Sequence, residues 1–169
     1  MNPLTRILIL VLLLLASCTD MPTLQGWRNG SNGLRYAVHS GTGDTLRPQP
    51  GMVCLVDIRY GTPDTLFLDT WKQGRPVPIN MRSPQYPGDL FEGMSLVHRG
   101  DSVTFRLLAD SFFMRTTGMG MLPPAVAPGD SVDILMVIRE VMTEREHRIK
   151  VARDIHQELK TDRENDTVQ

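Results

Sequence analysis

The chain has 169 residues, a formal net charge of -1, 41% apolar residues and only 6% aromatics. A balance so close to neutral supplies no general pull toward nucleic acid, and the length allows one domain with appendages. Two cysteines, Cys18 and Cys54, exclude a disulfide-stapled scaffold.

The N-terminus reads as a targeting segment. Arg6 gives a positive start and Ile7 to Leu15 is an unbroken apolar run, far short of the roughly 20 residues that span a bilayer. The run ends in Leu15-Ala16-Ser17-Cys18. This resembles a bacterial lipobox, in which cleavage precedes a cysteine that is then acylated; the plainer alternative is a secretory signal with a chance cysteine. The lipobox implies a signal peptide over 1–17, a lipid on Cys18 and a place in the bacterial envelope, on the outer membrane or the periplasmic face. Residues 18–33, with turn formers Asp20, Pro22, Gly26, Asn29, Gly30, Ser31, Asn32 and Gly33, read as a polar tether. Trp27 within it docks on the domain or lies near the lipid surface.

Alternation of apolar and polar residues predicts a first strand over Leu34–His39. Met52–Tyr60 is apolar on both faces for part of its length and reads as a central strand, with Cys54 as a small buried hydrophobe. A turn at Gly61–Asp64 returns the chain as Thr65–Thr70, a hairpin that ends in Asp69. The segment 72–88 carries four prolines, so only Val77 and Ile79 can form a short edge strand. Asp89 caps a short helix, with Glu92 placed to reach back and close a capping box. Leu90, Met94 and Val97 form its apolar stripe, and Gly100 follows its last turn. Val103, Phe105 and Leu107 then face one side of a strand. The expectation is a helix laid across a sheet, with a small pocket between them.

Residues 109–127 read as a long loop with interleaved methionines, a length that in compact domains is functional or mobile. Val132, Ile134, Met136 and Ile138 predict a last strand. Thr143 with Glu146 forms a second capping box, and Ile149, Ala152, Ile155 and Leu159 recur at helical spacing to about Lys160, ahead of a charged, disordered end. That stripe packs on its own domain or serves a partner chain. The expected architecture is α+β, an antiparallel sheet of about five to six strands wrapped around one short helix, plus a C-terminal helix. The domain bounds are 1–17, 18–33, 34–141 and 142–169.

The order of these elements, with particular residues at particular places, resembles the FKBP-type peptidyl-prolyl isomerases over roughly residues 34–141. Pro50-Gly51 opens the second strand, and Leu68-Asp69 stands where the family has Phe-Asp. Gly93, Met94 and Gly100 follow its helix pattern, Leu122-Pro123-Pro124 matches its Ile-Pro-Pro loop, and Val132-Asp133-Ile134 its last strand. The resemblance implies a proline pocket formed by Asp69, Ile58, Leu68, Leu90 and Phe113, with Tyr60, Val77, Leu122 and Val132 against the substrate. It also marks departures: Leu90 replaces the tryptophan floor, Ile58 or Tyr60 stands for a strand tyrosine, Val77 and Val132 replace phenylalanines, and Phe113 replaces a hydrogen-bonding tyrosine.

Such chemistry needs no nucleophile, metal or cofactor. Rotation about the amide costs about 18–20 kcal/mol because resonance is lost, and a dry apolar surface favours the less charge-separated twisted form. The expected function is therefore a peptidyl-prolyl isomerase of reduced activity, or a binder of proline-containing segments of exported proteins. The alternative is a non-catalytic docking subunit that uses residues 143–160. The four histidines, His39, His98, His147 and His156, show no metal-ligand spacing.

Overall fold

The computed structural model describes residues 26–166. Its strands are β1 (Arg28–Asn29), β2 (Arg35–Ser40), β3 (Met52–Gly61), β4 (Leu66–Asp69), β5 (Val77–Asn80), β6 (Ser102–Leu108) and β7 (Ser131–Thr143); its main helices are α1 (Leu90–Ser95) and α2 (Glu144–Asp166). The seven strands form one sheet in the order β1-β2-β6-β7-β3-β4, with β5 also on β3. The pairings are antiparallel. The expected signal segment 1–17, the expected acylation site Cys18 and the first part of the expected tether lie outside the described residues.

Alternation decides which face is the core. Val103, Phe105 and Leu107 of β6 and Val132, Ile134, Met136 and Ile138 of β7 are buried, while the residues between them are not. β3 lies between β7 on one side and β4 and β5 on the other, so Val53 to Ile58 are all buried. A bulge between Leu55 and Val56 leaves Arg139 as the extra residue on β7. Ile138 and Val141, three positions apart, can then both turn inward.

α1 covers this face. Leu90, Phe91, Gly93 and Met94 are buried in it, and Val97 follows in the turn beyond. Gly93 is needed for close approach: a Cβ there would lie 2.8 Å from Phe105 Cδ1. Gly100, at φ 88, then turns the chain into β6. Asp89 caps the helix as expected, accepting from the N–H groups of Phe91 at 3.3 Å and Gln85 at 3.0 Å. Glu92 closes a different loop from the expected one, because the Asp89 N–H already donates to the Tyr86 carbonyl. Its carboxylate takes the Gly88 N–H at 2.9 Å and the Ser31 hydroxyl at 2.6 Å. Burial alone would raise the Glu92 carboxyl; the bonds from Ser31 and Gly88 outweigh it and hold the pKa below its ordinary value.

Two expectations are corrected here, and the alternative left open for Trp27 is decided. Residues 28–33 belong to the fold rather than to a tether: Arg28 and Asn29 pair with Tyr36 and Arg35, and Asn32 donates to the Pro87 carbonyl. Trp27 docks on the domain, with the Arg35 and Arg106 guanidinium carbons 5.2 and 4.9 Å from its ring centroid. The loop at 109–127 begins with an α turn at Ala109–Ser111 and a π-helical turn at Phe112–Thr116.

β7 runs straight into α2. Thr143 and Glu146 form the capping box read from the sequence, with the Thr143 N–H on Glu146 at 2.7 Å and the Glu146 N–H on Thr143 Oγ1 at 3.3 Å. The helix extends to Asp166, past the expected end at Lys160. Its apolar stripe is not packed on the domain: every described side chain from Val151 to Arg163 is exposed. Among the described residues no helix is long and apolar enough to cross a membrane.

Candidate binding site at the end of strands β3 and β4

The space expected between α1 and the sheet is filled by Met94, Val97 and Phe105, all buried. Half-buried apolar side chains, Tyr60, Phe67 and Leu68, lie further along, where β3 meets β4. Tyr60 stands opposite Leu68 on one side and opposite Ile134 on the other. Beyond that rung the register shifts, since Gly61 pairs with Leu66, and Phe67 becomes the extra residue of a bulge. The bulge turns Phe67 onto the rings of Tyr60 and Phe113, at 6.3 and 5.2 Å between centroids.

The second source of rings is the π turn. Its wide i→i+5 bond, Thr117 N–H to the Phe112 carbonyl at 2.9 Å, sets two successive phenylalanines into the cluster. Phe112 and Phe113 lie edge-to-face at 5.1 Å, and Tyr60 meets Phe112 at 5.2 Å. Phe112 and Phe113 are buried; Tyr60 and Phe67 are half-buried and form the exposed part of the wall. Leu68, Val77 and Leu122 are half-buried beside the same core, and Ile58, Leu90 and Val132 are buried within it. Val77 pairs with Val56, one inward step along β3 from Ile58, and Val132 pairs with Leu107. The residues singled out in the sequence thus fall in one continuous apolar cluster, apart from Asp69.

Asp69 is held by other work. It caps the 3-10 turn Thr70–Gln73, accepting from the Trp71 N–H at 3.2 Å, and pairs with Arg59 at 3.3 Å. Thr70, buried beside it, accepts the Ile58 N–H at 2.8 Å, which ties the turn to β3. Burial pushes the Tyr60 phenol above its ordinary pKa, so it keeps its proton and is a hydrogen-bond donor at the half-buried wall.

Sequence reasoning missed Phe67, Phe112, Tyr86 and Thr116. The Tyr86 hydroxyl bonds the Ser111 carbonyl at 3.0 Å and Thr116 Oγ1 at 2.6 Å, and Thr116 reaches Asp89 at 3.2 Å. Arg82 donates to the Thr116 carbonyl at 3.0 Å and lies 4.5 Å over the Phe91 ring. Together these bonds pin the π turn to the start of α1, which fixes the aromatic wall. The available signal was the pair Phe112-Phe113, two adjacent large apolar residues at the end of an alternating strand. Met114, Met119 and Met121, at 49%, 55% and 70% exposure, rim the loop beyond.

An antiparallel sheet curled over one short helix, with an aromatic and aliphatic cluster where the loop after β6 meets β3 and β4, is the FKBP-like fold. FkpA from Escherichia coli is similar with a TM-score of 0.52 at 16% identity, over 69% of this chain and 53% of that one. The N-terminal domain of FKBP42 from Arabidopsis thaliana gives 0.53 at 13% identity, over 69% of this chain and 92% of that one. A multi-domain immunophilin from Arabidopsis thaliana gives 0.54 at 12%, over 70% and 46%. The chain thus spans about half the length of FkpA, and at these identities the likeness is one of fold. Neither a family model nor a curated protein matches the sequence.

Proposed function

We propose that the chain binds proline-containing segments of exported proteins at the Tyr60–Phe67–Phe113 wall and isomerises them slowly, as a lipid-anchored folding factor of the bacterial envelope. The observation that carries this reading is the half-buried aromatic wall on an FKBP-like fold. A pyrrolidine ring laid against Tyr60, Phe67, Leu68 and Leu122 leaves water, and a drier amide twists more readily. Leu90 gives an aliphatic floor that grips the ring less firmly than an indole plane. Phe113 has no hydroxyl, so the Tyr60 phenol is the donor to the substrate carbonyl. Asp69 keeps its capping bond and positions β4. The anchor is an acylated Cys18, which holds the domain at the membrane surface.

A protease-coupled prolyl assay on the full chain tests the catalytic half. Turnover above background that falls several-fold in Tyr60→Phe supports it; a rate equal to background, with no peptide binding, overturns the reading. A second reading, a non-catalytic docking subunit of an envelope complex, is favoured by the exposed stripe of α2. A stoichiometric partner lost on deleting residues 144–169 would support that alternative.

A further inference from the structure

Asp57 alternates along β3 with the core residues Val56 and Ile58, so it points to the sheet face turned away from α1. There Asp57, Trp71, Arg75, Pro76, Arg139 and Glu140 line an open cleft of about 460 Å³, within the roughly 300–1,000 Å³ of small-ligand sites. The bulge that makes Arg139 the extra residue on β7 aims its guanidinium across β3 at Asp57, with Nε 2.5 Å from the carboxylate. Asp57 is buried, so that end of the arginine is held, while no described residue bonds its two terminal amino groups. Thr70, which accepts the Ile58 N–H, ties the 3-10 turn to β3 and sets Trp71 beside the cleft. Gly74, at φ 71, then turns the chain toward Arg75 and Pro76. Arg75 is exposed and has no hydrogen bond or ion pair among the described residues.

The charges decide what the cleft takes. Asp57 is paired with Arg139, and Glu140 with Lys150 at 3.0 Å. Arg59 lies 5.6 Å over the Trp71 ring and is paired with Asp69. Arg75 is left over, one positive charge without a counterpart. A phosphate, with a charge of about -1.5 to -2 at neutral pH, overshoots that single charge and meets the carboxylates of Asp57 and Glu140. A carboxylate carries one negative charge, and its two oxygens match the fork of a guanidinium. Trp71 and Pro76 give a flat apolar wall for the rest of the ligand.

We propose that this cleft binds a carboxylate carried on a small apolar group, held by Arg75 and the free end of Arg139: the C-terminus or an acidic side chain of a polypeptide. The inference is independent of whether the aromatic wall turns peptide over.

The test follows the indole N–H signals of the full chain by NMR in mild detergent. Trp71 reports the cleft, and Trp27, on Arg35 and Arg106, is the internal control. Acetyl-glycyl-leucine is expected to shift the Trp71 signal saturably and leave Trp27 in place, and its amide to bind about tenfold more weakly. Arg75→Gln, at an exposed position, should weaken the acid about tenfold and leave the amide unchanged. Arg139→Lys, which keeps the charge beside Asp57 but not the fork, should weaken the acid several-fold. Acetyl-glutamyl-leucinamide, whose only carboxylate is on a side chain, separates the two sources: binding at least as tight as the free acid assigns an acidic side chain, and weaker binding assigns a C-terminus. No shift of Trp71 by either carboxylate, equal affinity for acid and amide, inorganic phosphate bound as tightly as the acid, or an acid affinity that Arg75→Gln leaves unchanged would each overturn the proposal.

Discussion

The two helices of this chain teach opposite lessons. α1 has six residues, too few to be stable alone, yet its first turn is buried and bonded on every side. Asp89 satisfies two backbone N–H groups and receives a hydroxyl, Glu92 receives Ser31 and Gly88, and Gly93 lets the helix rest on Phe105. α2 is nearly four times as long, is capped by Thr143, meets the domain through the Lys150–Glu140 pair, and leaves its apolar side chains exposed. Tertiary contact, rather than length, decides which helix belongs to the folding unit.

That contrast can be broken by substitution. Asp89→Ala removes the cap and leaves buried donors bare, so it should cost about 2–4 kcal/mol in urea unfolding. An equal loss on removing α2 would contradict the contrast. Gly93→Ala should cost about 1–3 kcal/mol, because the new methyl meets the Phe105 ring inside a packed core. A neutral result would mean that the helix shifts freely on the sheet.

Burial gives a further, pH-dependent probe of the core that α1 covers. The Cys54 thiol, between β5 and β7, is pushed up to about 12 by burial, from an ordinary 9.0. Its folded pKa is raised, so its contribution is complete below pH 9 and is lost as pH climbs from there toward about 12. The loss should run near 1.4 kcal/mol per pH unit, on the order of one unit's worth by pH 10, and Cys54→Ala should remove that slope. The thiol should also resist alkylation until the chain unfolds. The smallest effect is expected from truncation after Thr143, at most about 0.5 kcal/mol of domain stability.

Much of α1 and the sheet was legible in the sequence, for a physical reason. Strands β6 and β7 alternate because one face is buried, and Asp89, Gly100 and the Thr143–Glu146 box are short-range devices whose partners lie within a few residues. What was hidden depends on distant partners. Nothing local says that Ser31 will bond Glu92, 61 positions away, or that Trp27 will lie against Arg106. The bulge at Phe67 is a register event between two strands, so the family resemblance named Leu68 and nothing local singled out its neighbour. The π turn needs Tyr86, Arg82 and Asp89 to hold it, and these come from another segment of the chain. The apolar residues named from the resemblance fall in the same cluster as the aromatic wall, which the sequence reading did not identify.

The most direct measurement is exchange NMR on a short proline peptide with the full chain, beside Phe67→Ala and Tyr60→Phe. Accelerated cis–trans exchange in the parent, lowered several-fold by either change at unaltered stability, is the predicted result. Peptide signals that neither shift nor exchange faster than in buffer would contradict a proline site at the end of β3 and β4.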